Sequence, residues 1–426
     1  MELLIFLSTL LVCIVLGVPI AFALLVTGVA LMLSLGMLDP NVMAQNVFNG
    51  INNFSLLAIP FFVLAGEIMN AGGLSTRIID LPMKIVGHVK GGLGFVAIIA
   101  AMIMASMSGS AVADTAAVGA MLFPMMKSSG YKEELSAGLV ASGGIIAPII
   151  PPSIPFIIFG VASGVSISKL FLAGIAPGIM IGIALCAIWY ILAHRMNATV
   201  MPKAKKGEIL SSLRHSIWAL LLPVIIIGGF RFGIFTPTEA GAVAAFYALF
   251  ISTCVYRELK LKALYGVLLS SCKTTAVVLF LVAAAQVSAW LMTIAELPDM
   301  VISILEPFMD SQFQLMLIIM LVIFMVSMVM DLTPTVLILC PVLMPVVEEA
   351  GINPVYFGVM FIINCSIGLI TPPVGNVLNV ITGVAKISFD RAVVGVFPYL
   401  LALILTLFLF LLFPSLILTP LAFILG

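Results

Sequence analysis

Long apolar stretches of this chain are interrupted by serine, glycine and proline, and these interruptions restrict the possible folds more than any other feature. In the stretch that extends from residue 106 to 153, the first break is at 106–110, with the sequence SMSGS, and Asp114 follows it. The second break, at 143–153, contains GGIIAPIIPPS. Hydrocarbon cannot hydrogen-bond an unwound backbone, so a bilayer tolerates such breaks only where protein or a wet cavity satisfies them. The breaks are therefore candidate binding sites.

The same pattern recurs 221 residues later in the chain. The corresponding breaks read MDLTPT at 330–335 and GLITPPVGN at 368–376. Without gaps, this offset aligns identical residues at Leu122 and Leu343, Pro124 and Pro345, Gly130 and Gly351, Ile146 and Ile367, Ile149 and Ile370, Pro151 and Pro372, and Pro152 and Pro373. Interrupted apolar segments at matching positions of two halves are typical of secondary transporters, whose sites lie between the repeats.

The composition indicates an all-α integral membrane protein. Hydrophobic residues make up 63% of the chain and charged residues 8%, and the mean hydropathy is +1.32. A membrane span takes about 20 apolar residues, so 426 residues have room for roughly a dozen. The net charge of zero gives no sign of a nucleic-acid partner. The six cysteines are scattered without a C-x-x-C pair, so we expect neither a disulfide framework nor a metal knuckle.

The apolar windows predict two repeats, each with a re-entrant helical hairpin followed by an interrupted helix. The predicted segments are spans at 2–18 and 20–36, hinged at Pro19; a loop at 38–54; a span at 55–72; an amphipathic interfacial segment at 77–90; a hairpin at 93–126; an interrupted span at 134–163; a span at 168–194; a hydrophilic connection at 194–215; spans at 216–230, 238–256 and 270–296; a second hairpin at 313–347; an interrupted span at 355–384; and a last span at 393–415.

Basic residues fix the predicted orientation. They crowd the loop at 195–214, which the positive-inside rule assigns to the cytoplasm. Counting crossings outward from that loop puts all 18 lysines and arginines inside except Lys169 and Arg231. On the same count the first hairpin enters from the cytoplasm and the second from the opposite side, so the repeats are predicted to be inverted. Both chain termini are predicted to be external.

Four carboxylates lie inside apolar segments, where a charge is costly and is usually functional or paired. Asp114 and Asp331 flank the two hairpin turns, so each either contributes to a site or caps the start of its hairpin helix. Glu239, in the sequence TPTE at 236–239, is expected to cap a helix. The role of Glu67 stays open, with a bond to a neighbouring helix as one option.

The polar residues at the breaks suit a hard monovalent cation such as sodium, which takes hydroxyl and carbonyl oxygens of the kind that unwound backbone supplies in transporters. The predicted sodium ligands are Ser106, Ser108, Gly109, Ser110 and Gly143 in the first half and Asp331, Thr333, Thr335, Gly368 and Thr371 in the second. The alternative is that these small residues only allow helices to pack closely.

Half-helix N-termini at the breaks carry partial positive charge, which favours an anionic substrate. The predicted substrate contacts are Asp114, Pro151, Pro152, Ser153, Pro372, Pro373, Gly375 and Asn376. Motifs of other function classes are missing from the sequence, which has no G-x-x-x-x-G-K-[ST] loop and no H-E-x-x-H. The three histidines fall at the predicted cytoplasmic edge, and no serine nucleophile comes with a histidine to activate it. We therefore expect no enzymatic activity.

Three motifs carry a resemblance to a known family. They are GGIIAP at 143–148 followed by PPS at 151–153, TPTEAG at 236–241, and GLITPP at 368–373. Over essentially its whole length the chain resembles the large membrane subunit of tripartite ATP-independent periplasmic (TRAP) transporters. Residues 330–335 and 361–366 are most similar to the 2,3-diketo-L-gulonate branch of that family.

The resemblance implies a sodium-driven importer of the bacterial inner membrane that moves a small organic acid, such as a sugar acid, keto acid or dicarboxylate. It implies an elevator architecture, with scaffold helices at 1–90 and 196–300 and a transport domain at 91–195 and 301–426. The termini would then be periplasmic, and sodium would be the coupling ion, with no other cofactor. The alternatives are a sodium-independent channel or exporter for organic anions and, more remotely, an intramembrane enzyme.

The resemblance also implies two protein partners. One is a small four-span membrane subunit, expected as a separate chain because no fused small subunit precedes Met1. The other is a periplasmic binding protein that delivers the substrate.

The orientation can be tested by labelling in a variant without the six native cysteines. Lys205→Cys should react with a membrane-impermeant thiol reagent only from the cytoplasmic side, because Lys205 lies in the most basic loop. Asp310→Cys, on the other side of the predicted membrane, should react only from outside. Labelling of both positions from the same side would contradict the inverted arrangement.

Overall fold

The structure is a computed structural model, and it describes residues 2–196 and 198–425. Within these residues the regular secondary structure is entirely helical. Seven helical segments are long and apolar enough to cross a membrane by length and composition, and several shorter apolar helices accompany them. The predicted class of all-α membrane protein is confirmed.

In the first half of the chain, the described residues form ten α-helices. They are α1 (Glu2–Val15), α2 (Ile20–Ser34), α3 (Pro40–Ile51), α4 (Ala58–Ala71), α5 (Leu74–Val86), α6 (Gly92–Ser108), α7 (Ala111–Ser128), α8 (Glu133–Gly144), α9 (Ile154–Ser163) and α10 (Ile167–His194). A short 3₁₀ turn at Phe54–Leu57 leads into α4.

The second half repeats this order with a longer scaffold helix. Its α-helices are α11 (Lys206–Arg231), α12 (Pro237–Phe250), α13 (Leu261–Ile294), α14 (Leu297–Leu305), α15 (Gln312–Ser327), α16 (Leu332–Glu349), α17 (Pro354–Gly368), α18 (Asn376–Ala385), α19 (Phe389–Leu412) and α20 (Ser415–Leu425). A π-helical turn at Ile251–Val255 extends α12.

The helix boundaries reproduce the offset found in the sequence. From Ala111 at the start of α7 to Leu332 at the start of α16 is 221 residues, and so is the distance from Glu133 to Pro354, where α8 and α17 begin. In each repeat a hairpin (α6–α7, α15–α16) precedes a broken helix (α8–α9, α17–α18). The predicted hairpins and interrupted helices are therefore confirmed.

The two repeats interlock rather than lie side by side. The second hairpin arm of each repeat packs against the second half of the broken helix of the other, α7 on α18 and α16 on α9. The first halves of the broken helices make matching contacts, α8 with α19 and α17 with α10. Both hairpins and both broken helices consequently belong to one packed unit.

An aromatic cluster strengthens this unit where the broken helices cross. Phe159 on α9 lies between two rings of α17, with ring centroids 6.1 Å from Phe357 and 5.7 Å from Phe361. Phe156 meets Phe171 of α10 at 6.4 Å. All five rings are buried, and aromatic pairs in such tilted geometry contribute about 0.5–1.5 kcal/mol beyond their burial.

Several predicted boundaries were wrong. The segment 38–54, predicted as a loop, contains α3, which starts because the Asp39 side chain accepts a hydrogen bond from the Asn41 amide at 2.8 Å and Pro40 occupies the first helical position. The hydrophilic connection at 194–215 is shorter than predicted, because α11 already begins at Lys206. Helix α13 starts nine residues before position 270, and α14 and α20 were not predicted.

Close contact between α8 and α19 depends on glycine. A Cβ atom built on Gly138 would lie 2.2 Å from the carbonyl oxygen of Gly395, and one built on Gly395 would lie 1.9 Å from the carbonyl oxygen of Glu134. These are backbone atoms, so a side chain at either position would force the two helices apart.

We therefore expect Gly138→Ala to lower the apparent melting temperature of the purified protein, since overpacking of this kind destabilises by about 1–3 kcal/mol. The matched control is Gly383→Ala on α18, where a Cβ would meet nothing within 4 Å. Alanine there should be neutral or stabilise the protein by about 0.5–1 kcal/mol. Equal effects of the two substitutions would contradict the close packing of α8 on α19.

Candidate functional site

The tip of the first hairpin is a tight turn tied together by its own side chains. Gly109 joins α6 to α7 with a φ of +62°, a conformation that favours glycine. Ser110 caps α7, its hydroxyl accepting from the Ala113 amide at 3.4 Å. The Ser108 hydroxyl donates to Asp114 Oδ1. Asp114 therefore holds the tip closed from the first turn of α7, and Ser110 rather than Asp114 supplies the cap.

This tip rests on the break at 143–153, between α8 and α9 of the same repeat. A Cβ on Gly109 would lie 2.7 Å from the Pro152 carbonyl oxygen, so the two backbones touch. The Pro151–Pro152 peptide bond is cis. Ser153 closes the break, because its hydroxyl donates to the Pro148 carbonyl oxygen and accepts from the Phe156 amide at 3.3 Å. The unwound backbone is thus bonded within the protein, as a bilayer requires.

The tip of the second hairpin is joined to the break between α17 and α18 by one side-chain and one backbone hydrogen bond. Asp331 occupies the N-cap position of α16, but its side chain makes no capping bond. Its Oδ1 instead accepts from Asn376 Nδ2 at 3.1 Å, and the Val374 amide donates to the Met328 carbonyl oxygen at 3.4 Å. The structure therefore contradicts a side-chain capping role for Asp331. The Pro372–Pro373 bond in this break is also cis.

Both hairpin tips open onto one cavity of about 290 Å³. Its lining comes from the two tips with the first turns of α7 and α16, from the two broken helices at their breaks and the start of α9, and from α4 and α13. The lining residues are Val63, Gly66, Glu67, Asn70, Ser108, Gly109, Ser110, Ala111, Val112, Ala113, Pro148, Ile154, Pro155, Thr274, Val278, Asp331, Leu332, Thr333 and Leu369.

Three helix N-termini face this cavity, those of α7, α9 and α16. The first amides of a helix have no partner within the helix and carry partial positive charge. At α16 these amides lack a side-chain cap altogether. The arrangement is suited to an anion bound between the two hairpin tips.

The opposite wall belongs to α4 and α13. Gly66 of α4 lies close to the first tip, with an ideal Cβ 3.5 Å from the Cα atom of Ser108. Glu67 is half-buried and its Oε1 accepts a hydrogen bond from the hydroxyl of Ser270 on α13 at 3.1 Å. The bond to a neighbouring helix that the sequence left open for Glu67 is therefore present. Glu239 forms a capping box with Thr236, as predicted.

The cavity brings together five of the ten predicted sodium ligands: Ser108, Gly109, Ser110, Asp331 and Thr333. The other five are not among the lining residues: Ser106, Gly143, Thr335, Gly368 and Thr371. Three of these donate hydroxyl hydrogen bonds within their own helical segments, Ser106 to Ile103, Thr335 to Asp331 and Thr371 to Ile367. Half of the predicted sodium ligands therefore line the cavity, and the other half do not.

The predicted substrate contacts also lie outside the lining: Asp114, Pro151, Pro152, Ser153, Pro372, Pro373, Gly375 and Asn376. Asp114 and Asn376 reach the wall indirectly, through their bonds to Ser108 and Asp331. Asn70 and Thr274 also line the cavity and were not predicted. Their signal in the sequence is weak, because polar residues are unremarkable near the ends of spans.

Some buried oxygens near the two irregular segments of the first repeat have no partner. Among the described residues, the unpartnered atoms include Asp114 Oδ2 and Thr115 Oγ1 near the start of α7 and Ser142 Oγ near the end of α8. Carboxylate and hydroxyl oxygens are the donors that a hard cation prefers, so the residues present fit such an ion. The described residues contain no group of three histidine, cysteine, aspartate or glutamate side chains of the kind that holds a transition metal.

Comparison with known proteins identifies the family. The family described as "Tripartite ATP-independent periplasmic transporter, DctM component" matches residues 7–416. The chain is 66% identical to the 2,3-diketo-L-gulonate TRAP transporter large permease protein YiaN of Escherichia coli over 424 residues, covering 100% of both chains. It is 40% identical to the sialic acid TRAP transporter large permease protein SiaM of Vibrio cholerae, covering 94% of this chain and 93% of that one.

A more distant relative supports the same grouping, and a solved structure supports the fold. The C4-dicarboxylate TRAP transporter large permease protein DctM of Pseudomonas aeruginosa is 38% identical, with 85% of each chain covered. The crystal structure of the Alcanivorax borkumensis YdaH transporter superposes with a TM-score of 0.66 over 88% of this chain and 89% of that one, at 14% identity. The chain therefore belongs to the DctM component family of tripartite ATP-independent periplasmic transporters, as one of its large membrane permeases.

Proposed function

We propose that this chain is the membrane permease of a sodium-coupled importer for a small organic acid anion. The observation that carries the proposal is the cavity between the two hairpin tips, where three helix N-termini converge on a space of about 290 Å³. A cavity of this size and polarity suits an anion such as a sugar acid, keto acid or dicarboxylate. Similar permeases are named for 2,3-diketo-L-gulonate, sialic acid and C4-dicarboxylates, which are all organic acids.

Sodium is the coupling ion in this proposal. The unpaired buried oxygens of Asp114 and Thr115 near the start of α7 support it, because a bound cation would satisfy them. In the second repeat, Asp331 and Thr333 on the cavity wall offer oxygens of the same kind. At the first tip the cation would lie behind the cavity wall, and at the second it would lie at the wall beside the anion; in both places each ion would favour the binding of the other.

The proposed mechanism is an elevator movement. Both hairpins and both broken helices pack as one unit, and this unit would slide along the scaffold formed by residues 1–90 and 196–300. The substrate would be held by the tips and carried with them. Because unwound backbone is enclosed within the moving unit, no break would be exposed to lipid during the movement.

The proposed transporter includes two partner proteins. A periplasmic binding protein would deliver the substrate, and a small membrane subunit would stabilise the scaffold from its lipid-facing side. We propose the bacterial inner membrane as the location, with residues 195–214 in the cytoplasm and both termini in the periplasm. The main competing function is a sodium-independent channel or exporter; the two inverted hairpins disfavour it, because a simple pore has no need of them.

Uptake by proteoliposomes tests the proposal. The permease, reconstituted with its small subunit, should accumulate 2,3-diketo-L-gulonate, sialic acid or succinate only when the matching binding protein and an inward sodium gradient are both present. The measurement is the initial rate of uptake of the labelled acid with each component omitted in turn. Accumulation without a sodium gradient would favour the channel or exporter, and robust uptake without any binding protein would contradict the tripartite assembly.

The sodium sites predict the behaviour of two substitutions. Ser108→Ala and Asp331→Asn should each raise the sodium concentration for half-maximal uptake about tenfold, if each removes a ligand worth about 1.4 kcal/mol. Because the residues lie in different repeats, each substitution should affect a separate ion. The measurement is the sodium dependence of uptake, with thermal stability recorded for every variant.

Matched controls separate ion binding from stability. Ser128→Ala and Asp310→Asn remove the same groups at exposed positions away from the cavity and should leave the sodium dependence unchanged. Helix capping does not explain an effect of Asp331→Asn, because the Asp331 side chain makes no capping bond. Well-folded variants with unaltered sodium dependence would exclude these two residues as ligands.

A further inference from the structure

One face of α13 borders two cavities, which differ in whether charged side chains line them. Thr274 and Val278 line the cavity at the hairpin tips. Farther along the same face, Val282, Gln286 and Thr293 line a second cavity of about 350 Å³. These positions are spaced as neighbours on one side of a helix. The described residues that line the second cavity include no charged side chain, whereas the first cavity contains Glu67 on its scaffold wall.

The position of Glu67 is fixed by packing on both sides. Its neighbour Gly66 touches the backbone of the first hairpin tip, and Ser270 of α13 holds the carboxylate from behind. Helices α4 and α13 pack directly against each other. The carboxylate therefore stays on the wall opposite the N-termini of α7, α9 and α16, facing the place where an organic anion would bind.

Asp331, the other carboxylate on the cavity wall, differs in its attachment. It belongs to the second hairpin, and its side chain bonds to Asn376 at the break between α17 and α18. In the proposed mechanism it would move together with the bound anion, so its effect on binding would be similar on both sides of the membrane. Glu67 belongs to the scaffold, so its distance from the anion would change when the hairpins move.

We infer that Glu67 is an unloading residue: its carboxylate weakens binding of the anion in the conformation seen here and so favours release of the anion. The inference rests on the proposed function as an organic-anion importer. The cavity with Glu67 borders α13 at Thr274, in the half of the helix that also contains Lys262 and Lys273, and the sequence assigns both lysines to the cytoplasmic side. Release would thus be favoured on the side to which an importer delivers its substrate.

The expected size of the effect follows from the dimensions of the cavity. A sphere of 290 Å³ is about 8 Å across, which sets the separation between Glu67 and an anion at the opposite wall. Two unit charges about 8 Å apart repel enough to change affinity roughly 5- to 30-fold at effective dielectric constants of about 40 to 20. An effect of this size speeds release without abolishing binding.

The test uses Glu67→Gln and Asn70→Asp in the permease purified with its small subunit. The glutamine keeps an oxygen that can accept from Ser270, and the new aspartate keeps an oxygen for the Ser75 hydroxyl, which now donates to Asn70 Oδ1 at 2.6 Å. The measurement is the dissociation constant for 2,3-diketo-L-gulonate, from the dependence of thermal stabilisation on its concentration. Net uptake and substrate exchange are then compared in proteoliposomes.

The two substitutions should change the dissociation constant in opposite directions. Glu67→Gln should lower the dissociation constant 5- to 30-fold and slow net uptake while exchange is retained, and Asn70→Asp should raise the dissociation constant. Glu349→Gln, an exposed carboxylate at the end of α16, should match the wild type. An unchanged dissociation constant for Glu67→Gln would overturn the inference. A raised dissociation constant for this variant would also overturn the inference, because it would mean that Glu67 accepts hydrogen bonds from substrate hydroxyl groups.

Failure of this inference can be told apart from failure of the proposed function. If the wild-type assembly transports the acid but Glu67→Gln binds it with wild-type affinity, only the inference is overturned. If the wild-type assembly neither binds nor transports an organic acid, the proposed function is overturned, and the inference with it.

Discussion

The fold depends on one requirement: four interruptions of helical backbone inside an apolar protein must find hydrogen-bond partners within the protein. An unsatisfied backbone group in hydrocarbon costs several kcal/mol, which is comparable to the whole stability of many domains. The chain meets the requirement with short polar side chains next to the breaks, such as Ser110, Ser153 and Asn379. It also places each hairpin tip directly against a break, so that the two irregular segments cover each other.

The two repeats meet the same requirement with different chemistry. The 221-residue offset aligns Ser110 with Asp331 and Asp114 with Thr335, so each tip has one carboxylate but at a different position. Asp114 bonds to Ser108 within its own hairpin, whereas Asp331 bonds across to the break. The first tip is therefore closed on itself, while the shape of the second depends on the unwound segment beside it. Two repeats with the same fold can in this way respond differently to an ion or a substrate.

Backbone features were predictable from sequence to a degree that side-chain contacts were not. Serine, glycine and proline mark the hairpins and broken helices strongly, and the predicted bounds of the first hairpin agree with α6 and α7 within two residues. Helix α3 was missed because its polar composition resembles a loop, although Asp39 and Pro40 form a recognisable helix start. Prediction of the early start of α11 failed because polar residues outside the membrane form helices as readily as apolar ones. The contact between Glu67 and Ser270 joins residues far apart in the chain, so only the packing of α4 on α13 reveals it.

In the proposed mechanism, the distribution of charge in the cavity allows recognition and release of the anion to be separated. The partial positive charges at α7, α9 and α16 come from hairpins and a broken helix, and these elements form one packed unit. Their geometry around an anion would survive a rigid-body movement, so the affinity they provide would be nearly the same on both sides of the membrane. In the proposed movement, a difference in affinity between the two sides would then come from the scaffold wall, which would stay in place. On that wall, in the described part of the chain, the only ionisable side chain lining the cavity is Glu67.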